Sequence, residues 1–439
     1  MCESSLAREC TSHSGFFKMH RTIAFLFDGE QIIPMLIAAL VVTLVVLTAL
    51  AYLLVRSSRR RLGKRSLFLA PLPFAIALVG TSIWIRSQAP NSGPPRVLSG
   101  TAANSIVHRL PDYASFSLTG AAYFDDRLYV GSNIGLLEIE NGAVARLFQA
   151  QKFDSVVSGP WLDRADHLLW IMDDHTHELL NFDGSNWQRI AMPLPPKGYY
   201  TRGEVLEGIK PVGTDASFWV MAAGGAWRWS SKSGNWVAEP EPPLSVDDGV
   251  LGVLPIQGRL AYIVRHELLP FLVRPGQPFK SDTITLVNSS GPHELRVKEG
   301  VAFLAEMWTV ANDSGYICDK DGRMLIVSPT EVTPMPTPGA CEAVAVNGQG
   351  NLVASFRGHG IFQFTRSEWQ MLSPPIPGSG QGEYWAYLTI SKGETAYVTD
   401  AKPVVDEQRS HGTDMRWKRN AETAAWVIRG EQASKVKLN

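Results

Sequence analysis

The stretch RLYVGSNIGLLEI (Arg127–Ile139) is a short apolar strand, a tight turn that contains glycine, and a second strand. Two such runs joined by a few residues predict a β-hairpin. Similar stretches recur toward the C-terminus, as in SFWVMAAGGAWRW (217–229) and NLVASFRGHGIFQF (351–364). The chain is therefore organised around a repeated hairpin.

The repeat has a nearly constant period. One aligned position falls in each copy at intervals of 41 to 49 residues, namely at Tyr129, Trp170, Trp219, Tyr262, Trp308, Val353 and Tyr397. A further strand precedes each hairpin, and a polar turn with an outer strand follows it, the latter marked by Trp187, Trp236 and Trp369. Seven units of four strands with this spacing predict an all-β seven-bladed β-propeller over residues 105–439.

Three copies resemble the two-component-regulator type of β-propeller repeat. That unit has an apolar strand, an Asp-x-x-Gly turn, an aliphatic-Trp-aliphatic strand, a glycine turn and a closing strand ending near Asp-Gly-x-x-Trp. The matching residues are Asp166–Ile171 with Asp183, Gly184 and Trp187; Phe218–Val220 with Gly234 and Trp236; and Asn347–Val353 with Gly360 and Trp369. The resemblance implies a propeller outside the cytoplasmic membrane. Because no kinase or DNA-binding segment follows the last repeat, we do not expect a direct signalling role.

The N-terminal part predicts a membrane anchor. After a tail (1–31) whose true start is either Met1 or Met19, residues 32–55 are uncharged and residues 67–85 form a second apolar run. A helix of 24 residues spans about 36 Å, enough to cross a bilayer. The loop 56–66 between the runs carries six cations and no acid, namely Arg56, Arg59, Arg60, Arg61, Lys64 and Arg65.

The positive-inside rule places this basic loop in the cytoplasm and both flanks outside. We therefore predict a multi-pass protein of the cytoplasmic (inner) membrane whose propeller lies on the extracytoplasmic, periplasmic side. Residues 86–104 read as a Pro/Ser/Gly linker, and Ile106–Leu110 is a candidate strand that would close the ring by joining the last blade. A nucleic-acid-binding or lipid-binding patch is the less favoured interpretation of the basic loop.

Composition limits the remaining functions. The formal net charge is −1, so a nucleic-acid partner is not expected. Four cysteines without a CxxC pair indicate neither a zinc site nor a thioredoxin-like centre. Cys318 and Cys341 fall in adjacent repeats, and an oxidising compartment would permit a bridge between them. The sequence does not decide whether they are bridged.

Two kinds of candidate site emerge. Aromatic residues accompanied by an arginine on the connectors between strands suit a binding surface. The candidates here are Tyr199, Tyr200, Arg202, Tyr384 and Trp385. The simpler alternative is that these side chains pack over the edges of the blades. Asp173, His175 and His177 are weak metal candidates, and an ordinary solvated turn is preferred for them. No cofactor is expected.

No catalytic motif stands out, because the chain has no G-x-S-x-G elbow, Walker-type loop or H-E-x-x-H. The sequence therefore favours a non-enzymatic module that binds, senses or scaffolds a protein, peptide or glycan ligand. The alternative is a membrane-tethered hydrolase or lyase with its site in the central channel. Convergent carboxylates or histidines on the inner strands would favour the enzyme, and small apolar residues would favour the binding module.

Overall fold

Seven antiparallel sheets follow one another along the chain, each built from consecutive strands. The computed structural model describes residues 94–438 except 109–115, 150–156, 174–177, 192–209, 215–216, 223–224, 241–247, 267–280, 289–290, 377–381, 406–416 and 420. All of these residues belong to one unit, Ser92–Asn439. The fold is a seven-bladed all-β propeller, as the repeat predicts.

The first four blades lie between residues 96 and 294. Their strands, in chain order, are β1 (Arg96–Ser99), β2 (Leu118–Phe124), β3 (Arg127–Ser132), β4 (Gly135–Glu140) and β5 (Ala143–Gln149) in blade 1; β6 (Val157–Asp163), β7 (Leu168–Asp173), β8 (Glu178–Phe182) and β9 (Trp187–Ile190) in blade 2; β10 (Lys210–Thr214), β11 (Ser217–Ala222), β12 (Gly225–Ser230) and β13 (Asn235–Glu239) in blade 3; and β14 (Gly249–Ile256), β15 (Arg259–Arg265), β16 (Thr283–Asn288) and β17 (Gly291–Glu294) in blade 4.

The last three blades complete the array. Their strands are β18 (Arg296–Val297), β19 (Ala305–Ala311), β20 (Ser314–Asp319), β21 (Met324–Val327) and β22 (Glu331–Met335) in blade 5; β23 (Cys341–Val346), β24 (Leu352–Phe356), β25 (Gly360–Thr365) and β26 (Glu368–Ser373) in blade 6; and β27 (Tyr384–Ser391), β28 (Glu394–Ala401), β31 (Ala424–Arg429) and β32 (Gln432–Lys435) in blade 7, with the ribbon β29 (Pro403–Val405) and β30 (Trp417–Arg419) inserted.

The first long strand of each blade lies on the axis. Each of these inner strands, β2, β6, β10, β14, β19, β23 and β27, contacts the inner strand of the next blade, and β27 contacts β2. Among the described residues, one cluster of buried apolar side chains lies at each of the seven interfaces between neighbouring blades. Stability is therefore distributed around the ring, because a propeller blade buries its faces only against its neighbours.

Among the described residues, the N-terminal segment adds no strand to the last blade, which differs from the expectation for Ile106–Leu110. Residues Thr101–His108 form a helix, α1, and the strand before it, β1, pairs with β5 on the outer edge of blade 1. Part of the segment 86–104 expected to be linker thus belongs to the sheet. Closure instead uses Val436 and Leu438, which pack into the cluster between blades 7 and 1. A helix can form at 101–108 because no proline interrupts it before Pro111.

The aligned positions are correct in four blades and wrong in three. Tyr129, Trp170, Trp219 and Val353 lie on second strands and face the following blade. The remaining three positions, Tyr262, Trp308 and Tyr397, are displaced in two different ways.

Tyr262 and Tyr397 lie on second strands but face the preceding blade, where Tyr262 belongs to the same buried cluster as Trp219, and Tyr397 to the same cluster as Val353. A shift of one residue moves a side chain to the other face of a sheet. Trp308 lies on the inner strand β19, opposite Ile317 of β20. An aromatic residue alone does not show which face of a strand it occupies, or whether it lies on the inner or the second strand, because both faces of every blade are buried.

The predicted membrane hairpin (32–55 and 67–85), the basic loop 56–66 and the tail 1–31 lie outside the described residues. Within the part of the chain that the structure does describe, no helix is both long and apolar enough to span a bilayer.

Candidate functional site

A central cavity of about 370 Å³ lies on the propeller axis. Inner strands of blades 1, 2, 5, 6 and 7 line it, mostly with small or apolar residues such as Gly120, Ala343 and Ala345. Its larger side chains are aromatic, namely Trp161, Trp308, Trp385 and Tyr387. Glu306 is the one charged residue among the described residues that line it. The cavity is thus apolar and aromatic, with a single acidic group.

β-Bulges shape the wall of this channel. The register shifts near the start of five inner strands, between Leu118 and Gly120, Ser158 and Trp161, Val250 and Gly252, Ala305 and Met307, and Cys341 and Ala343. In blades 5 and 6 the residues left over by the shift are Glu306 and Glu342, which therefore occupy equivalent positions. A bulge redirects its side chain and is common beside functional sites. Both carboxylates reach the same end of the channel, which we call the mouth.

The mouth is a pocket of about 130 Å³ between blades 5, 6 and 7. At its base the Glu342 side chain is only 4% exposed and forms an ion pair with Arg357 at 2.7 Å. The Tyr384 hydroxyl donates to Glu342 Oε1 at 2.5 Å, and the Tyr397 hydroxyl donates to Oε2 at 3.2 Å. Burial, and then the Glu342 charge, raise the pKa of Tyr397 well above its usual value, so this hydroxyl remains a donor. Glu342 is held by three partners.

A second charged group lies at the rim of the mouth, next to the cavity. Lys402 Nζ is 3.9 Å from Glu306 Oε1 and 5.4 Å from the centroid of the Trp385 ring. The Lys402 and Glu306 side chains are 27% and 48% exposed. An ion pair at this distance and exposure contributes little, about 0–1 kcal/mol. Glu306 is consequently held far less firmly than Glu342.

A disulfide joins the two blades beside the mouth. Cys318 of β20 and Cys341 of β23 are bridged, with their Cα atoms 5.8 Å apart, which fits the usual range for a disulfide. Cys341 also lines the mouth pocket. The bridge left open by the sequence is therefore present, and it links the blades that carry Glu306 and Glu342.

At the opposite end of the channel, an arginine side chain reaches across the axis. Arg164, in the turn after β6, donates to the carbonyl oxygens of Val346 at 3.0 Å and Asn347 at 3.2 Å, at the end of β23. Blades 2 and 6 are not neighbours in the ring, so this contact spans the axis. The Arg164 side chain therefore lies across the end of the channel opposite the mouth.

The structure brings only part of the predicted binding set together. Tyr384 and Trp385 begin the inner strand β27 instead of lying on a connector, and both line the mouth. Tyr384 is 6% exposed, whereas Trp385 is half-buried. Tyr199, Tyr200 and Arg202 lie outside the described residues.

The metal candidates are not assembled into a site by the described residues. Asp173 is 3% exposed at the end of β7, while His175 and His177 fall in 174–177, outside the described residues. Across the described parts of the chain, no group of three or more His, Cys, Asp or Glu side chains could hold a metal ion.

The sequence interpretation missed Glu306, Glu342, Lys402 and the bulges. One signal was present: an acid follows the first residue of the inner strand in both AEMW (305–308) and CEAV (341–344). Placing these stretches in register would have paired the two glutamates. The bulges themselves depend on contact with the neighbouring inner strand, which no local pattern encodes.

Comparisons with known proteins show only distant likeness. No protein-family model matches the chain, and no curated protein matches it. Among solved structures, the extracellular domain of the one component system BT4673 from B. thetaiotaomicron is 9% identical with a TM-score of 0.39, covering 79% of this chain and 40% of that chain. YCF48 bound to D1 peptide is 11% identical, with a TM-score of 0.40 and coverage of 70% and 93%.

AztD from Citrobacter koseri is 10% identical with a TM-score of 0.38, covering 73% of this chain and 86% of that chain. The match to the BT4673 extracellular domain covers about two fifths of that domain's length. Likeness at this level does not establish a shared function.

Proposed function

We propose that this protein is a non-catalytic binding module, anchored in the cytoplasmic membrane by its N-terminal helices, whose propeller presents the channel mouth to a ligand outside the cell membrane. The ligand would be a protein, peptide or glycan, and the role sensing or scaffolding. The resemblance of three repeats to the two-component-regulator type supports a sensing role.

The observation that carries this proposal is the lining of the channel. General acid–base catalysis needs at least one positioned group that gives or takes a proton, and hydrolases of sugars use two carboxyl groups. Among the described residues, Glu306 is the only carboxylate and there is no histidine in the cavity wall. Glu342, the neighbouring carboxylate, is bound by Arg357, Tyr384 and Tyr397. Aromatic, small and threonine side chains favour binding over the hydrolase or lyase alternative.

Two features support the extracytoplasmic location. Six cations between two apolar runs favour a cytoplasmic loop with both flanks outside. The Cys318–Cys341 disulfide is of a kind that persists in oxidising compartments and is rare in the cytosol. Both point to the same side of the membrane for the propeller.

Site-specific photocrosslinking in intact membranes tests the binding role. A benzophenone amino acid would replace Lys320, which is exposed at the mouth, and in a control Met371, which is 57% exposed on the outer strand β26. We expect an adduct of defined mass from position 320 only, and its loss when Trp385→Ala is added. Adducts from both positions, or from neither, would contradict a ligand at the mouth.

Reporter fusions test the topology. Alkaline phosphatase joined after Gly100 should be active and the same enzyme joined near Gly63 inactive, because the enzyme matures only outside the cytoplasm. Activity confined to the fusion near Gly63 would reverse the proposed orientation.

A further inference from the structure

Four aromatic side chains face the cavity together with one carboxylate. Trp161 comes from blade 2, Trp308 from blade 5, and Trp385 and Tyr387 from blade 7. All four are half-buried, and Glu306 lies two residues before Trp308 on β19. Trp and Tyr faces attract cations through their ring quadrupole, and this attraction grows when water is partly excluded. A cavity lined by four aromatic residues and one acid suits a positive charge.

The protein already holds a cation against part of this wall. Lys402 Nζ lies 5.4 Å from the Trp385 ring centroid, within the cation–π range of about 6 Å. The same nitrogen is 3.9 Å from Glu306. An ammonium group between an indole face and a carboxylate is therefore a geometry that this site supports, and Lys402 adopts it from the mouth side.

This internal cation can give way to another. The Lys402–Glu306 distance is near the limit for an ion pair, and both side chains are partly exposed. Such pairs stabilise a fold only slightly. In contrast, Glu342 is held by Arg357 and by two tyrosine hydroxyls. Glu306, unlike Glu342, is therefore an acid at the mouth that can change its partner at low cost.

The cavity also suits a small ligand. Its volume of about 370 Å³ falls at the lower end of the range of about 300–1,000 Å³ for small-molecule sites. The described residues that line it include no lysine, arginine or histidine, so neither a like charge for a ligand cation nor a positive partner for an anion is present among them. Arg164, which crosses the far end of the channel, donates to two backbone carbonyls there.

We propose that the channel binds a small organic ammonium ion, with its charge toward Glu306 and its alkyl groups against Trp308, Trp385 and the other cavity aromatics, and that Lys402 competes for the same place. This ammonium site would specify the ligand of the proposed binding function, and it rests on that function because both treat the channel as a ligand site. The ammonium group could belong to a free small molecule or to the end of a larger ligand, and the chemistry of recognition is the same.

Calorimetric titration of the full-length protein tests this with choline and with 3,3-dimethyl-1-butanol, its neutral carbon analogue of the same shape. We expect choline to bind at least ten times more tightly than the neutral analogue. Glu306→Gln should weaken choline binding at least tenfold. Trp385→Leu should weaken it similarly, while Trp385→Phe retains part of the affinity because a ring remains.

The decisive variant is Lys402→Met, which removes the competing charge while keeping an unbranched side chain. It should strengthen choline binding several-fold. Lys392→Met is the matched control, because Lys392 pairs with Asp126 in turns at the far end of the inner strands. That control should leave affinity unchanged. A merely structural role for Lys402 would lower binding or leave it unaltered.

Three results would overturn the inference: no choline binding at millimolar concentrations, equal binding of the neutral analogue, or no gain in Lys402→Met. A photocrosslinked partner without choline binding would leave the proposed function standing and remove this inference. Choline binding without a crosslinked partner would support the ammonium site and contradict a macromolecular ligand at the mouth. Competition of choline with the crosslink would assign the ammonium group to the larger ligand.

Discussion

The Asp400 carboxylate of blade 7 accepts a hydrogen bond at 3.2 Å from the backbone N–H of Leu118, the first residue of the inner strand of blade 1. Ser117 Oγ donates to the same carboxylate at 2.7 Å. Asp282 does the equivalent between blades 4 and 5, where it accepts from the N–H of Ala305 at 2.7 Å. In two blades, therefore, an aspartate accepts a hydrogen bond from the first residue of the next blade's inner strand. One of these contacts joins blade 7 to blade 1, where the ring closes.

Asp400→Ala should lower the free energy of unfolding by about 2–3 kcal/mol, because hydrogen bonds to charged groups contribute about 1.5–3 kcal/mol and a buried N–H loses its acceptor. Asp400→Asn keeps one acceptor oxygen and should cost less. Chemical denaturation of the full-length protein measures both. Asp126→Ala, in an exposed pair with Lys392, is the control and should change little. Equal effects of the Asp400 and Asp126 substitutions would contradict a closing role for Asp400.

The second prediction compares two tryptophans of blade 3. Trp219 is 1% exposed between blades 3 and 4, so Trp219→Ala should cost about 3–5 kcal/mol, the range for a large aromatic lost from a core. Trp236, on outer strand β13, is half-buried, and its replacement by alanine should cost less. Thermal unfolding distinguishes them. Comparable losses at both positions would argue against the observed burial.

The outer tryptophans carry a separate hydrogen bond that can be isolated. Trp236 Nε1 donates to the carbonyl oxygen of Ala191 at 2.8 Å, and Ala191 follows the outer strand of blade 2. Likewise, Trp369 Nε1 donates to the carbonyl oxygen of Pro336 at 2.9 Å, and Pro336 follows the outer strand of blade 5. Phenylalanine keeps an aromatic ring while removing the donor and part of the ring contacts, so Trp236→Phe and Trp369→Phe should each cost at least about 1 kcal/mol. Unfolding free energies of the two variants should agree; a loss in only one would show that the two contacts are not equivalent.

The fourth prediction concerns the Cys318–Cys341 disulfide. It closes a segment with a sequence separation of 23 residues, for which the chain-entropy treatment gives about 3 kcal/mol. The double variant Cys318→Ala/Cys341→Ala should therefore unfold at a lower denaturant concentration. A reductant should destabilise the natural protein and leave the double variant unchanged, which separates the bridge from general effects of the reductant. Insensitivity of the natural protein would contradict the bridge.

The last prediction concerns the pH dependence of stability. Burial raises the pKa of Asp163, at the end of β6, from 3.8 to about 6, with a backbone hydrogen bond from Asp166 acting in the opposite direction. Between these two values the folded protein binds more protons than the unfolded chain. Stability should therefore fall as pH rises from about 4 to about 6.

Asp163→Asn removes this titration and keeps an oxygen that accepts the Asp166 N–H. Its free energy of unfolding should exceed that of the natural protein by about 1–2 kcal/mol at pH 7, and match it near pH 4. Melting curves across this range measure the difference. A variant that is less stable at pH 7, or equally stable throughout, would show that Asp163 is ionised in the folded protein without penalty.

The sequence alone determined the repeat, the number of blades and the order of strands within each. These follow from local signals: apolar runs of strand length, glycine turns and a constant period at positions such as Tyr129, Trp170 and Trp219. The outer strands could also be predicted, because Trp187, Trp236 and Trp369 follow polar turns. Each of these signals lies within one blade.

Tertiary structure alone decided which face each side chain covers, how the ring closes and what lines the channel. Tyr262 and Tyr397 face backward because a one-residue shift exchanges the faces of a strand that is buried on both sides. Residues far apart in the chain meet at Asp400 and Leu118, and at Lys402, Glu306 and Trp385. These contacts arise from the radial packing of blades, and a pattern with a period of one blade carries no information about which neighbour a loop or bulge will meet.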